Sequence, residues 1–181
     1  VEEVIEWLRF VGLLNAALWL GSCMYHVFGA APAVSSKAVE QLLGPVNTPF
    51  FATAIQLVLD ERFLTFQLVF ALIACTHVLT MWLYLGQTPR RLWLGLLGGL
   101  LFLVLMQSLW LQPLIKARHA TRHSIRATPQ MRVAADRSFR AWHGFSNVCN
   151  LLQVIGVAVY FWRVVNPSEA TRFVSAVKFR S

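Results

Sequence analysis

The stretch FRAWHGFSNVCNLLQV, residues 139 to 154, sets His143, Asn147 and Asn150 four and three residues apart, on one face of a helix. Asn15, Ser22 and His26 follow a seven-and-four spacing and share a face in the same way. Such faces offer hydrogen-bond donors and acceptors either to a neighbouring helix or to a bound polar solute. Interhelical bonds of this kind contribute about 0.6–2 kcal/mol each, and structural glue is the plainer reading. His119 and His123 form an i, i+4 pair, a spacing that suits a transition metal. The surrounding arginines repel a cation and Asp136 is the single acid nearby, so no metal is assigned there. His77, with Thr80 and Tyr84 on its face, either packs through a hydrogen bond or serves as the single axial ligand of a haem or chlorophyll; packing is again the plainer reading. No motif requires a cofactor.

Little else points to catalysis. GxSxG, HExxH and P-loop patterns are missing from the sequence, and no Asp or Glu falls inside the apolar runs. A non-enzymatic protein is expected. Cys23, Cys75 and Cys149 are odd in number, lack CxxC spacing and sit in apolar runs, as buried small hydrophobes do.

The elements that must carry these residues follow from composition. Of 181 residues 57% are hydrophobic and 13% charged, with a mean hydropathy of +0.57, which excludes a soluble domain. A hydrocarbon core of ~30 Å takes about 20 apolar residues. Four stretches qualify, roughly 7–30, 63–86, 92–115 and 143–165. Residues 49–59, PFFATAIQLVL, are too few to span and run into Asp60, Glu61 and Arg62, which are costly in a bilayer, so this segment is expected to be an interfacial helix. A shorter helix from about Ser36 to Leu43 is closed by Gly44 and Pro45. The chain is therefore expected to be one all-α domain over residues 1–181, an integral membrane four-helix bundle with short interfacial helices in the first and third connections.

The net charge of +8 lies almost wholly outside the spans and suits lipid headgroups or an acidic partner; nucleic acid is not expected. The basic connection, residues 116–141, holds Lys116, Arg118, Arg122, Arg126, Arg132, Arg137 and Arg140 against Asp136. Arg118, Arg122 and Arg126 would form one stripe on a helix that extends the third span until Pro129 breaks it, and would contact lipid or a partner. The positive-inside rule places this connection in the cytoplasm and both termini outside. Val1 in place of methionine fits a GTG start, a trimmed N-terminus or a processed one; the first suggests a bacterial source, a bacterial inner (cytoplasmic) membrane is expected, and the acidic stretch Val1 to Glu6 does not resemble the basic start of a signal peptide.

Depth along antiparallel spans sorts the histidines. His26, His119, His123 and His143 belong to the face of the third connection, whereas His77 lies ~20 Å from it, so His26 and His77 cannot share one haem. Gly95, Gly98 and Gly99 in the third span include a GxxxG and allow close approach of a helix from inside or outside the bundle.

The FRAWHGFSNVCNLLQV stretch resembles the F-R-x-[YW]-H-G-x-S-x-x-C-N-L motif of the family typified by transmembrane protein 205, small four-span proteins with no established biochemical activity. ALWLGSCMYHVFGAAPAV, residues 17 to 34, and WLQP, residues 110 to 113, resemble that family's first span and the end of its third. The resemblance marks Trp19, Gly21, Pro32, Trp110, Gln112, Pro113, Arg140, His143, Gly144, Ser146, Cys149 and Asn150; the insertion from Leu43 to Arg62 departs from it. It implies a bundle-locking node in which Gly144 admits a close neighbour while Arg140, His143, Ser146 and Asn150 bond to the ends of spans one and three around Gln112 and His26. Two functions are then expected to compete. One is an accessory or scaffold subunit of a larger membrane complex, with an electron-transfer or photosynthetic complex as a candidate, bound to other membrane subunits and lipids. The other is a small-solute or metal-handling protein with a polar site at the His26 and His143 face, which the family's linkage to drug and metal tolerance implies.

Overall fold

The computed structural model describes residues 2–85 and 91–166. The end of the second expected span at residue 86, and the C-terminal basic residues used for orientation, lie outside them. Five helices form. Helix α1 runs Glu2–Met24 and continues through a π-helical stretch, Tyr25–Ala30, into Ala31–Val34. Helix α2 is Lys37–Leu43, α3 is Thr48–Leu85, and α5 is Pro129–Val165. Helix α4 runs Arg91–Met106, a π-helical stretch Gln107–Leu111, then Gln112–His123. Helices α1, α3, α4 and α5 are each long and apolar enough to cross a membrane, and the protein is an all-α, integral membrane four-helix bundle.

Each long helix packs on the two that adjoin it, in ring order α1, α3, α4, α5. The main core gathers Trp19, Cys23, Ala71, Ala74, Leu100 and Val157; a smaller cluster of Leu57, Leu111, Ile115 and Phe139 lies towards the α4–α5 turn. The helices outrun the bilayer. From Arg140 to Arg163 is ~35 Å at ~1.5 Å per residue, so a hydrocarbon layer of ~30 Å fits between the level of Arg91 and Arg163 and that of Lys116 and Arg140. Beyond the second level the helices run on towards Val34, Thr48, His123 and Pro129.

Both π-helical stretches precede a proline, Pro32 or Pro113, in the first turn of the helix that follows. Proline has no N–H to donate and its ring crowds the carbonyl four residues back; a locally widened turn relieves both. The same widening re-aims His26 and Gln107, which are both buried.

Three expectations are corrected here. Residues 49–59 are the opening turns of α3 and not a separate interfacial helix, because Asp60 and Glu61 find partners in the bundle instead of ending the helix. The basic stripe stops at His123: Ser124 is extended, Arg126 lies in the turn, and Pro129 starts α5 behind a Thr128 cap that accepts from Met131 N at 3.3 Å. Gly144 admits no neighbour, and a Cβ placed there, or at Gly95, Gly98 or Gly99, meets nothing within 4 Å.

Close approach occurs at glycines the sequence left unmarked. A Cβ on Gly12 would stand 2.5 Å from the His77 ring, and one on Gly156 2.7 Å from Leu100 Cδ2. Gly12→Ala is therefore expected to cost about 1 kcal/mol by displacing His77, whereas Gly98→Ala and Gly144→Ala should be neutral or slightly stabilising. Unfolding midpoints in detergent check this; equal effects at all three positions would refute the assignment of faces.

Candidate functional site, a polar cavity at the α4–α5 turn end

Polar side chains in the bundle fall into two layers. The deeper one centres on Gln67 of α3, which is 1% exposed. Its Oε1 accepts from Trp19 Nε1, from Cys23 Sγ at 3.4 Å and from Gln153 Nε2 at 3.5 Å, while its Nε2 donates to Ser22 Oγ at 3.4 Å. Asn15 Nδ2 donates to Phe70 O at 3.1 Å. The face shared by Asn15, Ser22 and His26 thus meets α3. His77 closes the far end, its Nε2 2.9 Å from Leu8 O and its Nδ1 buried without a partner among the described residues.

The upper layer holds the candidate site. His26 Nε2 lies 3.2 Å from Asp60 Oδ1, both residues are buried, and the imidazole stacks on Phe63 at 3.9 Å between centroids. Asp60 Oδ1 also accepts from Gln56 Nε2 at 2.7 Å, one turn earlier on α3. Beside this group a cavity of about 360 Å³ is lined by His26, Val27, Ala31, Pro32 and Ser35 of the first helix and its end, Gln56 of α3, and His143, Asn147 and Asn150 of α5. Gln56 Oε1, His143 Nδ1 and Asn150 Oδ1 are buried and find no hydrogen-bond partner among the described residues.

The structure brings some expected partners together and separates others. Ser146 Oγ donates to Gln107 Oε1 at 3.3 Å, and Gln112 Nε2 to Leu57 O at 2.8 Å, tying α5 to α4 and α4 to α3. Arg140 pairs within its own helix, Nη2 to Asp136 Oδ2 at 2.8 Å, and Arg122 Nε lies 3.0 Å from the same carboxylate. Arg122 is therefore turned into the α4–α5 hairpin, over the Phe139 ring, while Arg118 stays exposed. His143 and Asn150 make no bond to spans one or three; they face the cavity. His119 and His123 come within 4.9 Å of each other and both pack on Phe50. No group of three or more potential metal ligands forms among the described residues.

No family model matches the chain, and no curated protein or solved structure does.

Several residues of the two layers escaped the sequence reading: Asp60, Gln56, Gln67, Gln107 and Gln153. The four glutamines share a legible signal. An uncharged amide within an apolar run cannot snorkel to water as lysine can, so it must turn inward for partners. Asp60 carried a weaker one, the Gln56–Asp60 spacing of four that lets an amide reach a carboxylate on the same face.

Proposed function

We propose that this protein is a non-enzymatic membrane protein that binds a small polar solute in the cavity between α1, α3 and α5. The observation that carries this is the polar lining of that cavity, His26 and Gln56 beside the buried Asp60 on one side and His143, Asn147 and Asn150 on the other. Convergent polar side chains in a concave site offer a solute both hydrogen-bond donors and acceptors. That Pro32, His143 and Asn150 are also positions of the transmembrane protein 205-like pattern supports the same reading. The burial of Asp60 against His26 supports it further, because a carboxylate taken out of water is costly and such groups cluster at functional sites.

The test is a thermal-shift panel of small neutral, anionic and cationic polar solutes on the detergent-purified protein. A solute at about a hundred times its Kd should stabilise the fold by roughly 2.7 kcal/mol. Asn150→Leu, which fills the wall with an apolar group, should abolish the shift. A panel without any stabilising solute, or a shift that survives Asn150→Leu, would sink the proposal.

A second reading rests on a separate face. Gly98 adjoins an apolar cleft of about 450 Å³ with Cys75, Val78, Leu79, Trp82, Leu94 and Leu97, and Gly95 and Gly99 also face outward with nothing against them. Small residues beside an apolar cleft suit close packing of another membrane helix, as in an accessory subunit. Mild extraction from native membranes is expected to yield a particle well above the 20.5 kDa of one chain; a monomer would remove this reading.

A further inference from the structure

We infer that the tip of the α4–α5 hairpin, with the first turn of α3 beside it, is a docking surface for an acidic segment of a water-soluble protein that also carries apolar side chains. The surface is separate from the cavity and from the Gly98 cleft, and it is continuous by contact. Phe51 meets Phe50 edge to face at 5.1 Å between centroids, and Phe50 meets His123 in the same way at 5.0 Å. His123 leads into the turn that carries Ile125 and Arg126. Arg132, in the first turn of α5, donates through Nη2 to Ile125 O at 3.2 Å. Ser124 Oγ accepts from Arg126 N at 3.2 Å, so the turn is held in shape before anything binds.

Ile125 is 94% exposed, and Phe51, Arg126, Met131 and Arg132 are exposed beside it. Large apolar side chains in the open are ordinary where lipid covers them, so depth decides the matter. The hydrocarbon layer ends at the level of Arg140 and of Lys116 with its partner Glu61. At ~1.5 Å per residue, Phe51 stands ~15 Å beyond Glu61 and Met131 ~13 Å beyond Arg140. Headgroups fill only the first ~5–8 Å of that distance. Water therefore surrounds the tip, and aromatic, Met and Arg side chains mixed there have the composition of a protein interface.

Charge selects the partner. Arg118, Arg126, Arg132 and Arg137 are exposed on the hairpin, while its one acid, Asp136, is already held by Arg122 and Arg140. Arg118 and Arg137 lie within ~5 Å of the layer's edge, at headgroup depth, whereas Arg126 and Arg132 share the tip with Ile125. Carboxylates next to apolar side chains complement that tip. A second copy would set cations against cations, and a purely acidic ligand would leave Ile125 and Phe51 uncovered.

The experiment measures binding of two probes, a random glutamate–tyrosine copolymer and polyglutamate of equal length, to the full-length protein in phosphatidylcholine nanodiscs. The copolymer is expected to bind at least roughly tenfold more tightly, because its rings cover the apolar part of the tip. Ile125→Ser should remove that preference. Arg126→Glu combined with Arg132→Glu should weaken both polymers by roughly tenfold or more, whereas Arg137→Gln, at headgroup depth, should stay within about twofold of the unaltered protein. Should the double variant fail to fold, the polymer preference and Ile125→Ser decide alone. Equal binding of the two polymers, an Ile125→Ser protein that keeps the preference, or a loss in Arg137→Gln as large as at the tip would overturn the inference. A fluorophore on Gln130→Cys reports what else covers the tip, since Cys23, Cys75 and Cys149 lie within the spans. Its quenching by headgroup-spin-labelled phosphatidylglycerol would assign the tip to lipid instead, and nanodiscs that pair through their tips would assign it to a second copy.

Discussion

Asp60→Ala is expected to be the most damaging single substitution in the bundle, at about 3–5 kcal/mol of stability. The change does more than delete a carboxylate. It strands the His26 ring and the Gln56 amide, both buried, with N–H groups that no longer have an acceptor. The distinguishing control is the pair replacement. Asp60→Leu combined with His26→Leu removes both partners together and should recover part of the loss, because breaking a buried pair costs more than exchanging it for packed apolar groups. Unfolding midpoints of the three proteins in one detergent measure this directly. A double variant less stable than Asp60→Ala would mean that the pair contributes through something other than mutual satisfaction. Glu61, the next residue, gives the contrast. Its partner Lys116 Nζ is 2.6 Å away but both are largely exposed, so Glu61→Ala should change stability by less than about 1 kcal/mol.

Gln67→Leu is expected to cost about 2–3 kcal/mol. Among the described residues Gln67 is the one side chain that bonds to residues of both α1 and α5 in the deeper layer, through Trp19, Ser22, Cys23 and Gln153. Single interhelical bonds in membranes average only ~0.6 kcal/mol, but here several are lost together. Trp19 is 0% exposed, so its indole N–H is left without water as a substitute. Adding Trp19→Phe to Gln67→Leu should then cost less than Trp19→Phe does alone, because the indole N–H has already lost its acceptor. Strict additivity of the two changes, measured by denaturant unfolding in mixed micelles, would show that the Trp19–Gln67 bond carries no coupling.

The architecture was open to reading because its cause is local. Four apolar stretches of sufficient length must become helices in a bilayer, since no other segment satisfies its own backbone there, and short connections make them antiparallel neighbours. The same reasoning placed His26 and His143 at one end, where they now face a common cavity. It failed at Asp60, Glu61 and Arg62. Their charges argued for a separate interfacial helix that ends before residue 60, yet α3 runs unbroken through them from Thr48, beyond the level of Lys116 where the hydrocarbon layer ends. An acid becomes tolerable within a bundle only when partners meet it. One of Asp60's partners, Gln56, is a turn away, but the other, His26, comes from a different helix.

Glycines show the same division. Gly144 and Gly98 stood in recognisable motifs and face outward, whereas Gly12 and Gly156, in no motif, take the close contacts. A small residue permits approach from any direction, and only the rotation of its helix within the ring decides whether a neighbour is there. By itself, then, the sequence determined that this is an all-α membrane bundle and which end collects its imidazoles, because length, hydropathy and helical periodicity are properties of each segment alone. Which polar atoms find partners and which side chains line a common cavity was decided by the tertiary structure, since both belong to residues from different helices and to no single one of them.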